Sequence, residues 1–180
     1  MINLQKINNE VFVAEDAIVR LGSEEIAFLK RQAQISPRKR ARICAHKSND
    51  DALHEMVIAI SADSYIHPHR HVGKAESFHI IDGEVDVVVF SDSGAVSDVI
   101  QLGSPGSGRC FYYRLSESRF HTLLIRSDFL IVHEVTNGPF DRDRTVLAPF
   151  APGEEKGDEA SVYMQGVSLQ AANFLKDMKP

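Results

Sequence analysis

The stretch His67-Pro68-His69-Arg70-His71-Val72-Gly73-Lys74-Ala75-Glu76-Ser77-Phe78-His79-Ile80-Ile81-Asp82-Gly83 sets three histidines at alternate positions, then a carboxylate, then a glycine. Alternation is the period of a β-strand, so all three imidazoles are expected on one face. Apolar runs flank the stripe, Met56-Val57-Ile58-Ala59-Ile60 before it and Phe78-His79-Ile80-Ile81 within its return. A metal-loving polar stripe between buried strands points to a ligand site rather than to ordinary surface.

Geometry limits the combinations. Residues two apart on a strand have Cα atoms ~7 Å apart, and residues four apart ~13 Å. Imidazole nitrogens sit ~2.0–2.1 Å from a zinc ion, so His67 and His71 do not share one metal within a regular strand. His69 therefore pairs with either His67 or His71. The turn Val72-Gly73-Lys74 returns the chain at Glu76, which favours His69 with His71. Two neutral nitrogens and one carboxylate suit one divalent transition metal, with Fe, Mn, Zn and Ni all compatible. A fourth ligand is expected from a distant strand, where His121 and the pair His133-Glu134 are the candidates. His79 has the opposite parity to Glu76 and should face away.

Downstream, the chain reads as successive strands: 55–60, 65–71, 76–81, 85–90, 96–102, 110–115, 120–125 and 129–135. Asp82-Gly83-Glu84 has the form of a hairpin turn, Asp92-Ser93-Gly94 marks another turn, and Gly103–Gly108 is a loop by composition. Regularly spaced strands without intervening helices indicate an antiparallel sandwich or barrel. Upstream, Val11–Ala14 is the best extended piece. Ser23-Glu24-Glu25 reads as an N-cap with acids in the first turn of a helix carrying Ile26, Phe28, Leu29 and Ala33 and ended by Pro37. The basic run Arg38–Arg42 reads as a solvated or sugar-phosphate-facing strand. After Pro139 the pattern is irregular, and a last amphipathic helix is expected over residues 168–178, with Leu169, Ala172, Phe174 and Leu175 facing a surface.

A chain of 180 residues can bury a real core without metals or disulfides as staples. A formal charge of −5 argues against a nucleic-acid binder. Cys44 and Cys110 form no close-spaced motif, and the first residues lack the apolar core of a signal peptide. No stretch approaches the ~18 apolar residues of a membrane span. The expectation is a cytoplasmic protein with no membrane or nucleic-acid partner.

Asp63, five residues, His69-Arg70-His71, four residues, Glu76, six residues and Gly83 together resemble the first cupin motif, with Asp63 in place of its leading glycine. The spacing selects His69 and His71 over His67. The second cupin motif retains only its histidine, at His121. A narrower resemblance rests on Arg40-Ala41-Arg42, His46, Pro68–His71, Gly73-Lys74, Glu76-Ser77, His121–Leu123, Glu134, Gly138–Phe140 and Ala148–Glu154. These residues are similar to the WbuC-type family of cupin-fold metalloproteins, whose members are typically encoded among O-antigen and other surface-polysaccharide genes.

The resemblance implies a cupin-type antiparallel β-barrel (double-stranded β-helix, jelly-roll) with a short N-terminal helix and a C-terminal helix. It divides the chain into an N-terminal strand and helix at 1–36, a barrel at 37–153 and a tail and helix at 154–180, one structural domain overall. The implied metal ligands are His69, His71, Glu76 and His121. Opposite parity lets only one of His133 and Glu134 face the interior, and the family pattern places an acid there, so Glu134, after the apolar run Phe129–Val132, is expected to transfer protons or to hold the N–H of a metal ligand. Lys74 is placed to meet an anionic substrate from the turn, Arg42 and His46 are candidates to line the cavity, and either Tyr112 or Tyr113 can supply a hydroxyl. Two functions follow: a metal-dependent isomerase, epimerase or dioxygenase acting on a small sugar-derived or anionic molecule, or a non-catalytic saccharide- or acid-binding module. A homodimer is the expected assembly.

Overall fold

Two β-sheets face each other across a shared apolar interior in the computed structural model, which describes residues 2–178. Met1, Lys179 and Pro180, the outermost positions of the expected terminal segments, lie outside that range. The elements in chain order are β1 (Leu4–Lys6), β2 (Val11–Ala14), α1 (Ser23–Ile35), β3 (Arg40–Cys44), β4 (Leu53–Ser61), β5 (His69–His71), β6 (Glu76–Asp82) and β7 (Glu84–Phe90). They continue with β8 (Val96–Gly103), β9 (Tyr112–Leu115), β10 (Phe120–Ile125), β11 (Phe129–Asn137), a 3-10 turn (Arg142–Arg144), β12 (Thr145–Leu147) and α2 (Gly157–Asp177). One sheet has seven strands in the order β1-β2-β3-β4-β11-β6-β9, and the other has five in the order β12-β5-β10-β7-β8. This is a jelly-roll β-barrel.

Strand alternation sorts the core into three compartments. Met56, Ile58, Ile60, Phe78, Ile80, Val85, Val87, Leu130 and Val132 fill the space between the sheets. Their neighbours in sequence, Val57, Ala59 and Ile131, face outward and are covered by Leu29 and Ala33 of α1. On the five-stranded sheet Val88, Phe90, Val99, Phe120 and Leu124 are covered by Val167 and Ala171 of α2. Strands buried on both faces carry apolar residues at every position, which explains the unbroken runs in β4, β7 and β11.

Several expected elements differ in detail. The strand anticipated from Tyr65 is confined to His69–His71, because Pro68 has no amide hydrogen to give a ladder. The turn at Gly83 does not close a hairpin: β6 and β7 belong to different sheets, and Gly83 carries the chain from one to the other at φ 88°. The turn at Gly94 does close one, between the paired strands β7 and β8. Gly22, not Ser23, caps α1, with the Glu25 carboxylate accepting the Gly22 amide hydrogen at 2.9 Å. The acidic tail 154–159 is not all loop, since α2 begins at Gly157 with Asp158 and Glu159 in its first turn, where acids suit the helix dipole. On α2, Phe174 and Leu175 pack as expected, whereas Leu169 and Ala172 face solvent. No helix among the described residues is long and apolar enough to cross a membrane.

Candidate metal centre

His69 on β5 and His121 on β10 are direct Cα partners in the antiparallel ladder, and β12 lies along the other edge of β5 with Thr145 opposite His71. Glu76 opens β6 in the facing sheet, so the short loop after β5 crosses the end of the barrel between two ligand positions. The result brings one potential donor atom from each of His69, His71, Glu76 and His121 to within 4.8 Å of one another. This separation suits four ligands around one ion.

The outer ring nitrogens are anchored by the protein. Nδ1 of His69 lies 2.9 Å from the carbonyl of His67, and Nδ1 of His121 lies 3.0 Å from the carbonyl of Arg119. A carbonyl only accepts, so each Nδ1 carries the hydrogen and each Nε2 presents its lone pair. His71 has the Thr145 hydroxyl at 3.3 Å from Nδ1. On the inner side, His71 Nε2 stands 3.2 Å from one Glu76 oxygen and His121 Nε2 3.4 Å from the other. The buried His121 Nε2 finds no hydrogen-bond partner of good geometry. The Tyr113 hydroxyl donates to Glu76 Oε1 at 2.9 Å. An orphaned inward nitrogen and a buried carboxylate in an N3O donor set fit a divalent transition metal.

Electrostatics follow from this packing. Burial, followed by the neighbouring His121, pushes His69 down to about 3, so it stays neutral and available as a ligand. Burial alone would raise the Glu76 carboxyl, but the His121 and His71 imidazoles beside it hold it well below the ordinary range. Burial likewise works against charge on His121, and Glu76 outweighs it and raises the imidazole. Glu134 is pushed up to about 7 by burial and then by the Glu76 charge.

The other residues singled out by sequence fall into distinct places. Glu134 shares the inward parity of Val132, and His133 turns outward to Glu55 at 3.7 Å. Lys74 lies in the loop between β5 and β6 with its ammonium on the Pro139 carbonyl at 2.8 Å. His67 stands outside the cluster, buried, with Nε2 3.1 Å from the Ala148 carbonyl. Of the two tyrosines Tyr113 faces the interior and Tyr112 is exposed. His46 stacks on His54 at 4.1 Å. His54 was not anticipated, because nothing in Leu53-His54-Glu55 distinguishes it from a surface histidine, yet it is buried with Nε2 unpartnered. Two hollows of about 620 and 480 Å3 beside α2 share no lining residue with the cluster.

A family profile described as Domain of unknown function (DUF6016) matches residues 21–102, a segment that includes His69, His71 and Glu76 and stops before His121. Comparison with curated proteins gives no match. Among solved structures, the chain is similar to a Shewanella oneidensis protein solved as a structural-genomics target, at 15% identity and a TM-score of 0.50, over 61% of this chain and 73% of that one. It is also similar to the Cnp3 cupin domain of Schizosaccharomyces pombe, at 11% identity and a TM-score of 0.43, over 55% of this chain and 64% of that one. The likeness to Bacillus subtilis oxalate decarboxylase has 15% identity and a TM-score of 0.44, covering 54% of this chain and 24% of the decarboxylase. Fold and cluster together define a jelly-roll β-barrel with a His-His-Glu-His group that suits a metal.

Proposed function

We propose that the protein is a metal-dependent enzyme acting on a small sugar-derived or anionic molecule, with His69, His71, Glu76 and His121 holding one divalent metal. The observation that carries this reading is the convergence of three Nε2 atoms and a carboxylate beside Glu134, an inward-facing acid raised to about 7. When bound, the metal supplies Lewis acidity or, if it is iron, oxygen chemistry. The chain's own residues do the rest. Tyr113 fixes the Glu76 carboxylate, the carbonyls of His67 and Arg119 fix two imidazoles, and Glu134 takes or gives a proton. A carboxyl with a value near neutrality is suited to moving a proton in either direction. Lys74 stands in this proposal as a cation on the loop over the site, able to meet an anion by leaving the Pro139 carbonyl. The WbuC-type resemblance supports surface-polysaccharide synthesis as the setting; isomerisation or epimerisation fits that setting, and dioxygenation fits the ligand set if the metal is iron.

The test is solvent exchange. Metal-loaded protein is incubated with a panel of sugar derivatives in heavy water, and NMR reads deuterium entering carbon positions. Incorporation that requires both the metal and Glu134, and disappears in Glu134→Gln, is the expected result. Binding without exchange or any other turnover would instead favour the non-catalytic module, which the same donor group supports.

A further inference from the structure

The basic run separates by strand period into three arginines with different fates. Arg38 forks onto Glu10, with Nε 2.8 Å from Oε2, and also faces Glu154. Arg40 Nη2 bonds Glu154 Oε1 at 2.9 Å. Both are compensated by carboxylates. Arg42 has no ion pair among the described residues: its hydrogen-bond contact is Nη1 to Met56 Sδ at 3.6 Å, and the carboxyl that feels its charge, Glu134, does not bond to it. Thioether sulfur is a weak acceptor for a group with five N–H donors.

Arg42 also points the right way. It shares its strand face with Cys44, which belongs to the cluster between the sheets, and it is half-buried. Its contact, Met56, is the Cα partner of Glu134 on β11, and Glu134 is in turn the partner of Phe78 on β6. Phe78 pairs with Tyr113, whose hydroxyl reaches Glu76. The guanidinium and the cluster therefore lie along one inner wall. A cation in such a place is stable when an anion meets it, and the planar fork of Arg matches a carboxylate through two parallel hydrogen bonds.

We propose that Arg42 anchors the carboxylate of a small ligand whose other end meets the metal centre, a sugar acid being the version that fits the preceding reading, on which this inference rests. A phosphate dianion fits less well. It would bring two charges to one cation without an ion pair, on a wall that already carries Glu76 and Glu134.

The experiment uses the full chain loaded with Co(II), whose visible spectrum reports ligands near the metal, together with calorimetry. Cobalt uptake is measured first, and a wild-type protein that takes up none overturns the metal-centre reading and this inference with it. Acetate, glycolate and glucuronate are then compared with their neutral amides and with inorganic phosphate. At least one carboxylate should bind the wild type at least about tenfold more tightly than its amide and more tightly than phosphate. Arg42→Gln should remove that preference while keeping its cobalt, and Arg42→Lys, which keeps charge without the fork, should restore part of it. Equal binding of acid and amide by the wild type, tighter binding of phosphate, no binding of any carboxylate, or an unchanged preference in Arg42→Gln would each overturn the proposal. The acid-against-amide comparison stands even if Arg42→Gln does not fold.

Discussion

His69 and His121 face each other across the β5–β10 ladder with ring centroids 4.7 Å apart, and each is fixed by the carbonyl two residues before it in sequence. The same local bond thus sets the same tautomer on two strands that meet only in the folded barrel. The two carbonyls thereby aim both Nε2 lone pairs toward the group. His71 and Glu76 complete the group from the ends of the loop between β5 and β6.

Replacing histidines one at a time separates ligands from supports. His69→Ala, His71→Ala and His121→Ala should each lower metal content from about one ion per chain to a small fraction, read by elemental analysis on protein purified without a His-tag. His67→Ala should keep its metal and lose stability instead. Its buried Nε2 serves the Ala148 carbonyl, and leaving that acceptor unpaired costs ~1–3 kcal/mol. Equal metal loss in His67→Ala and His71→Ala would mean the stripe is paired differently.

Tyr113→Phe removes only the hydroxyl that donates to Glu76. Supporting hydrogen bonds of this kind typically change metal affinity by ~10–100-fold, so competition with a chelator should show a loss in that range. The barrel should still fold, since the ring keeps its edge-on contact with Phe78. Unchanged affinity would show that Glu76 is held without the tyrosine.

Much of the site was legible because its residues lie close in sequence and strand period fixes their faces. His69, His71 and Glu76 needed only alternation and a turn. Strand reading alone left His121 beside the His133-Glu134 pair, and only the resemblance singled it out, because its place opposite His69 is a long-range pairing that no local pattern encodes. The strand β12 escaped notice for a related reason: three residues carry too little periodicity, and Thr145–Leu147 is a strand because His69–His71 offers it an edge. The basic run read as one feature, and only the positions of Glu10 and Glu154 show that two of its arginines are paired and Arg42 is not. The start of α2 was obscured by Gly157 and Gly166, residues unfavourable in a helix interior that tertiary packing of Val167 and Ala171 overrides.

The ion pair between Glu10 and Arg38 gives a pH signature away from the metal. Burial alone would raise the Glu10 carboxyl, but the Arg38 fork outweighs it and holds the value below 4.5. The unfolded chain therefore binds this proton more tightly than the folded one. The pair's contribution is complete above the unfolded value and is lost as pH falls through the folded one. Thermal unfolding of Glu10→Gln should accordingly start lower near neutral pH and fall less steeply into acid than the wild type. Parallel curves would show that the pair contributes nothing measurable.

Gly83, which closes the motif, has a physical reason to be glycine. Its φ of 88° lies in the left-handed region, and a Cβ there would collide with the Phe129 carbonyl oxygen and come within 2.6 Å of the Ser127 hydroxyl. The carbonyl belongs to backbone at the start of β11, where Phe129 pairs with Ser61 of β4, and two residues on the strand is paired with β6 as well, so it has little room to retreat. Gly106 makes a matched control, with a similar φ of 91° and nothing within 4 Å of its Cβ position. Gly106→Ala should show the conformational strain alone, ~1 kcal/mol, whereas Gly83→Ala should lose that and the collision together, ~3 kcal/mol or more. Chemical denaturation of the two variants in parallel measures the difference. Because the turn at Gly83 carries the chain from β6, which begins at Glu76, into β7, the partner of β10, Gly83→Ala should also weaken metal binding. A variant as stable as Gly106→Ala would mean that the crossing between the sheets tolerates a side chain.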